Sequence, residues 1–482
     1  MAILLVLIPL LSACSLLLAK GMAKSIAVVS SLINLGLTFF FLAQFSNTGG
    51  FQFGDDLIWV ESLGLHFHYG IDGITLLLLL LTNVLTPIIV LGSFGRKYEN
   101  EALFYGLILL MNAGLNGVFM SLDGLLFYIF WEITLLPIWF ICAIWGGHDR
   151  IRITLKFFIY TFAGSLLMLL ALIYVYLQTP GIHSFDITAL YAVKLTAAEQ
   201  CWIFWGFFAA FAIKMPVWPF HSWQPDTYTV SPAPGTMLLS GIMLKMGIYG
   251  LIRWMMPLAP AALKDSGQIA IWLSIAGIVY AAIIAIRQQD LKRVVAWSSI
   301  SHVGLIAAGI MTATTAGLQG GMLQMLAHGI NVVGLFLVIE MIEQRLNIRD
   351  MSLLGGIAKP APKLAVLFMI IMLGSVAVPL TNGFVGEFLL LNGVFQFGIW
   401  AAAIAGLTVI FCAVYMLRIY QLTMFGETNQ LTATTPDVNP REFWLLAILC
   451  VPVLFFGFYP QPLLDIARND IENLLKIIAV SN

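Results

Sequence analysis

Stretches of about twenty apolar residues recur from one end of the chain to the other, and no other feature limits its fold as strongly. A helix needs about 20 such residues to cross the hydrocarbon of a bilayer. Fourteen runs meet or approach that length, near residues 2–19, 25–45, 72–94, 102–120, 123–145, 154–178, 200–222, 235–256, 268–287, 293–313, 320–342, 364–394, 399–424 and 442–460. Sixty per cent of the 482 residues are hydrophobic and 10% are charged, against roughly 25% charged in soluble domains. The mean hydropathy is +0.96. A soluble core of this length could not hide so much apolar surface. With lipid as the solvent, every backbone N–H and C=O must be satisfied inside the chain. The expected fold is therefore an all-α polytopic membrane protein. Residues 461–479 break the pattern, because Asp465, Arg468, Asp470, Glu472 and Lys476 interrupt it. They are expected to form an amphipathic tail at the interface.

The connecting segments alternate in charge. The loops after runs 1, 3, 5, 9, 11 and 13 hold 16 of the 23 Lys and Arg residues. Five more, Lys194, Arg253, Lys264, Arg468 and Lys476, fall on the opposite side. The positive-inside rule then puts both termini outside and the basic loops in the cytoplasm or its equivalent. Two bases are left without a loop. Lys214 lies in FAAFAIKMPVWPFHSW and Lys245 in LLSGIMLKMGIYG.

Four more ionisable residues share this depth. Glu132 lies in FYIFWEITLLPIWF, His302 in WSSISHVGL, His328 in MLQMLAHGINVVG and Glu387 in VPLTNGFVGEFLLLNG. A charge at mid-bilayer costs several kcal/mol unless it is paired or hydrated, so such groups usually mark a conduction path. A lone histidine here is as often a satisfied core residue. Its neighbours on adjacent runs favour a proton relay. A Glu132–Lys214 approach to ~6 Å at an effective dielectric of ~20 would be worth about 3 kcal/mol. Moving one charge through ~180 mV costs about 4 kcal/mol. Making and breaking one such pair could thus gate a proton.

Two runs carry helix breakers beside these groups. Pro216 and Pro219 follow Lys214, and Pro379, Asn382, Gly383 and Gly386 precede Glu387. Proline removes a backbone donor and crowds the preceding turn. Broken helices beside charges in each half suggest two inverted five-helix repeats, runs 4–8 and 9–13. The chain then divides into residues 1–100, 101–256, 257–425 and 426–482.

Other features have plainer readings. Cys14, Cys142, Cys201, Cys412 and Cys450 form no close pair and read as core residues. The sequence shows no nucleotide loop and no zinc spacing, so no cofactor is expected in this chain. The box Leu11-Ser12-Ala13-Cys14 looks like a lipoprotein site, but no base precedes Lys20 and a first membrane helix is expected. Asp55, Asp56, Glu61, His66 and His68 are expected in a solvated loop. Asp72 and Asp123 are expected to cap helices. His221 and Asp226 flank the break after Lys214, where loop structure and proton entry are both open. Lys156 reads as an interfacial anchor.

The stretch KMPVWPFHSWQPDTYTVSPAPGTMLLSGIMLK, from Lys214 to Lys245, resembles the core of the antiporter-like subunits of respiratory complex I. YGIDGITLLLLLLTN, LKFFIYTFAGSLLMLL, RQQDLKRVVAWSSISHVG and LAHGINVVGLF agree with it, and the resemblance covers nearly the whole chain. Within the family the chain is most similar to the subunit M branch, whose mitochondrial counterpart is subunit 4. Glu387 stands where other branches usually carry lysine, MFGE ends at Glu427, and no long lateral helix follows run 14. The resemblance implies that Glu132 pairs with Lys214 and faces a neighbouring subunit. It makes Lys214 the central base, Lys245, His302 and His328 the relay, and Glu387 the last site. It implies the antiporter-like subunits L and N as partners in the bilayer. NADH, FMN, iron–sulfur clusters and quinone would belong to partner subunits, and no nucleic acid is expected. Subunits of Mrp-type sodium/proton antiporters or of membrane-bound hydrogenases share the same buried charges. They remain the alternative.

Overall fold

In the computed structural model, residues 1–480 are described. The apolar runs fold as helices, because a helix satisfies its own backbone. In chain order these are α1 (Leu4–Ser15), α2 (Ala23–Gln44), α3 (Gly73–Gly92), α4 (Glu101–Met120), α5 (Gly124–Trp145) and α6 (Arg150–Gln178). Next come the short α7 (Ile187–Tyr191), α8 (Ala197–Lys214), the short α9 (Gln224–Val230), α10 (Ala233–Leu258), α11 (Ser266–Arg287) and α12 (Leu291–Met311). The chain continues through α13 (Thr315–Leu346), α14 (Pro362–Val376), α15 (Asn382–Phe397), α16 (Ile399–Met424), α17 (Pro440–Phe458) and α18 (Gln461–Val480). Among the described residues eleven helices are long and apolar enough to cross a membrane. The other three runs map onto the short α1, onto α8 with its break, and onto the α14–α15 pair. The predicted segment 426–482 ends in residues 481 and 482, which lie outside the described residues.

One part of the chain folds as a sheet. Gln52–Val60 and Leu65–Ile71 form an antiparallel hairpin, β1 and β2, so the all-α expectation is corrected here. Its polar residues are not simply solvated. His66 pairs with Asp56 at 2.7 Å, Tyr69 donates to Asp55 at 2.5 Å, and His68 contacts Asp186, just before α7, at 2.5 Å. The alternating order Leu65-His66-Phe67-His68-Tyr69 carries this strand signal.

Helix starts follow capping chemistry. Asp72 accepts from the Thr75 amide at 2.9 Å, and Asp123 from Leu125 and Leu126. Thr196 with Glu199, and Asn439 with Glu442, form capping boxes on α8 and α17. Arg253 departs from its expected place in an outer loop. It lies buried near the end of α10 and donates to Asp72. Asp470 of α18 accepts from the Gly50 and Gly73 amides at 2.8 Å each, which docks the amphipathic tail onto the start of α3.

The layers differ in burial. Every residue in the apolar window of α10 and of α13 is buried, as are nearly all in α12. Only a third are buried in α2, α6, α16 and α17. Helices apolar on all sides belong in the centre of a large membrane bundle. Small residues let them approach. A Cβ on Gly241 of α10 would lie 2.5 Å from Val333 of α13. A Cβ on Gly386 of α15 would lie 2.4 Å from Gln324 of α13. Such contacts bring polar side chains of different helices within bonding range.

Candidate functional site

The six residues singled out by depth all lie in this bundle, on α5, α8, α10, α12, α13 and α15. Both broken runs are present. α8 ends at Lys214, and the Trp223 indole donates to the freed Ile213 carbonyl at 2.8 Å. α14 ends at Val376, Ala377 turns left-handed, and α15 restarts at Asn382. The Asn331 amide donates to Asn382 at 3.1 Å and braces that restart from α13. Irregular backbone is tolerated at membrane depth where protein surrounds it.

Lys245 is fully buried. Its Nζ donates to the Ser240 carbonyl at 2.7 Å and lies 2.9 Å from His328 Nδ1. The π-helical turn Leu239–Met243 precedes it; such turns are frequent at functional sites. The rings of His328 and His302 stand 6.0 Å apart. His302 Nδ1 contacts Glu387 Oε1 at 2.9 Å, and its Nε2 lies 3.4 Å from Cys412 Sγ. Gln324 donates to the same Glu387 oxygen at 3.2 Å. A small cavity touches His302, His328, Gln324, Asn331, Ser298 and Ser375. His328 Nε2 and Glu387 Oε2 are buried without partners. Four of the six residues thus form one nearly continuous line, broken only between the two histidine rings.

The other two stand apart. Lys214 Nζ is buried without a hydrogen-bond partner and sits 5.0 Å over the Trp131 ring. Glu132, next to Trp131 in sequence, has Oε1 buried and unpartnered. Among the described residues no ion pair joins Glu132 to Lys214, and no hydrogen bond joins Lys214 to Lys245. His221 packs between Tyr280 and Trp297 at 5.2 and 5.5 Å, and Asp226 pairs with Arg293. Lys156 donates to the Ser222 carbonyl at 2.8 Å.

Sequence reasoning missed Gln324 and Cys412, which are neutral residues in apolar runs. It also placed Lys292 in a basic loop. The structure buries Lys292 on the first turn of α12, 3.6 Å from Glu343. A basic residue on the helical side of the Asp290 cap could have signalled this.

The chain as a whole is similar to known proteins. Residues 121–412 match the family described as NADH:quinone oxidoreductase/Mrp antiporter, transmembrane. The NADH-quinone oxidoreductase subunit M of Rickettsia conorii is 41% identical over 458 residues, covering 93% of this chain and 92% of that one. The chain belongs to the subunit M family of NADH-quinone oxidoreductases. A subunit in the structure of respiratory complex I from Thermus thermophilus with bound NADH superposes with a TM-score of 0.89 at 30% identity. It covers 99% of this chain and all of that one. A chain of the Mrp complex from Dietzia shares the fold, with a TM-score of 0.85 at 22% identity, covering 100% of this chain and 99% of that one. Subunit M family membership extends to the apolar helices flanking the 121–412 core.

Proposed function

We propose that this chain moves protons across the membrane as part of an NADH-quinone oxidoreductase, through Glu132, Lys214, Lys245, His328, His302 and Glu387. The observation that carries this reading is the standing contact of Lys245 with His328 and of His302 with Glu387 in the fully buried centre. These groups can accept and release protons. Glu132 and Lys214 act as the switch: when they approach, Lys214 holds its proton, and when they part it passes the proton toward Lys245. Glu387 is the last site. The translocase role is this subunit's share of the enzyme, with NADH, FMN, iron–sulfur clusters and quinone in its partners.

The same reading counts fourteen crossings. The short α1, α8 with its break, and the α14–α15 pair add to the eleven long helices. It treats 101–256 and 257–425 as inverted repeats, 1–100 as the preceding helices and 426–482 as the closing segment. Subunits L and N are the proposed neighbours, and both termini face the outer side of a bacterial inner membrane. A subunit of an Mrp-type antiporter or of a membrane-bound hydrogenase is the second reading. The high identity to a subunit M favours the first, since the Mrp likeness is one of fold.

Inverted membrane vesicles carrying the assembled enzyme test the proposal. Lys214→Ala and Glu132→Ala are expected to assemble on a native gel and to lose proton pumping. Wild-type pumping in both would contradict it.

A further inference from the structure

Trp131 and Glu132 are consecutive on α5, and Lys214 at the end of α8 interacts with both, in different ways. Consecutive helix residues point about 100° apart, so one position of the lysine cannot serve the two equally. In the structure the lysine is at the tryptophan. Its Nζ lies 5.0 Å over the indole face and makes no hydrogen bond. The Glu132 charge acts on Lys214 only through space. The Glu132 side chain instead meets Tyr128, one turn earlier on α5, which also meets Ser165 of α6.

The indole is held as a fixed plate. Trp131 is buried, and its ring lies 5.7 Å from Phe127 and 5.6 Å from Phe211. Phe211 is wedged in turn against α10, where a Cβ on Gly250 would come within 2.3 Å of its ring. The face that Lys214 meets therefore does not depend on a mobile side chain.

An aromatic face attracts a cation through its quadrupole, and an indole takes up no proton at neutral pH. It holds an ammonium and gives a neutral amine almost nothing. For a desolvated lysine the preference over an alkyl neighbour is roughly thirtyfold. A carboxylate differs on both counts, since it attracts the ammonium more strongly and can accept its proton. An alkyl side chain in place of Trp131 would leave Nζ buried with no attractive contact, which is costly at membrane depth.

We infer that Trp131 is a positioning residue, which receives the Lys214 ammonium when Glu132 releases it and holds it until its proton leaves. Loss of the proton ends the attraction, so the neutral amine is free to turn back toward Glu132. The ring keeps the parted arrangement populated without offering the proton a second acceptor. This rests on the proposed switch, to which it adds the residue that steadies its open position.

The test uses the whole enzyme in proteoliposomes, with NADH oxidation and proton uptake measured together. Trp131→Leu removes the face and is expected to lower proton uptake about tenfold. Trp131→Phe keeps a ring with a weaker face and is expected to recover part of that loss. Tryptophans with increasing numbers of ring fluorines, placed at position 131 alone, separate attraction from packing. Fluorine drains negative charge from the face and leaves the shape nearly unchanged, so uptake is expected to fall with each added fluorine. A flat series overturns the inference, as does normal uptake in Trp131→Leu. Should Trp131→Leu fail to assemble, the fluorine series decides, because it preserves the packing. Defective uptake in Lys214→Ala beside a flat fluorine series overturns the role of Trp131 and leaves the relay standing. Normal uptake in Lys214→Ala overturns both.

Discussion

Lys214 and Lys245 are both buried, on helices that pack together, yet they are held in opposite ways. Lys245 has a carbonyl at 2.7 Å and a histidine at 2.9 Å, and it leads on through His302 to Glu387. Lys214 has the face of Trp131 and no hydrogen bond. A buried ammonium without partners is costly, and such a cost is tolerated where a group must change state. Under the proposed function, the contrast divides the line into a conductor, from Lys245 to Glu387, and a switch, Glu132 with Lys214.

Substitutions can break that division. The largest effect is expected from Lys245→Met, which severs the conductor at its first bond. Proton pumping should fall by about a hundredfold, a typical contribution of one positioned proton carrier, as measured by quenching of a pH-sensitive dye in vesicles. Lys214→Arg sharpens the comparison. A guanidinium preserves the charge beside Trp131 but does not give up its proton, so pumping should fall by about tenfold or more. A switch that needs only charge would survive it. Within the conductor, Gln324→Leu and Cys412→Ala each remove one neutral contact to Glu387 or His302. Each should cost about 1 kcal/mol, seen as a several-fold lower pumping rate with assembly unchanged.

How much of this was legible in the sequence follows from the same physics. Lys214, Lys245, Glu132 and Glu387 stood out because a charge in an apolar run is rare. The breaks beside them were legible from Pro216, Pro219 and the Pro379–Gly386 segment. Gln324 and Cys412 were not, since neutral polar residues are ordinary in membrane helices and only the α13–α15 crossing at Gly386 shows what Gln324 meets. Arg253 and Lys292 were read as loop residues because charge near the end of an apolar run resembles an interfacial anchor. Their burial depends on Asp72 and Glu343, which lie far away in sequence. The hairpin was lost to its aspartates, although residues 65–69 alternate as a strand should.

The hairpin gives the smallest predicted effect and one outside the membrane. The hydrogen bond to Asp186 raises the His68 pKa. Burial would raise the Asp186 carboxyl, but its bonds to His68 and Thr188 outweigh that and bring it down to about 2. The histidine contribution is complete below its ordinary value of 6.5 and is lost as pH rises through the raised value. The aspartate contribution is complete above 3.8 and is lost as pH falls toward about 2. The protection of residues 65–71 from hydrogen exchange, corrected for the base-catalysed intrinsic rate, should therefore be greatest between those ordinary values and fall in alkali. Asp186→Asn should flatten the alkaline limb, while pumping stays unchanged.

The division between conductor and switch stands on Lys245 passing protons. The most direct measurement is the number of protons moved per NADH oxidised by the assembled enzyme in proteoliposomes, wild type against Lys245→Met. A lower ratio or a stalled, tightly coupled enzyme is the expected result. An unchanged ratio at unchanged turnover would contradict the account.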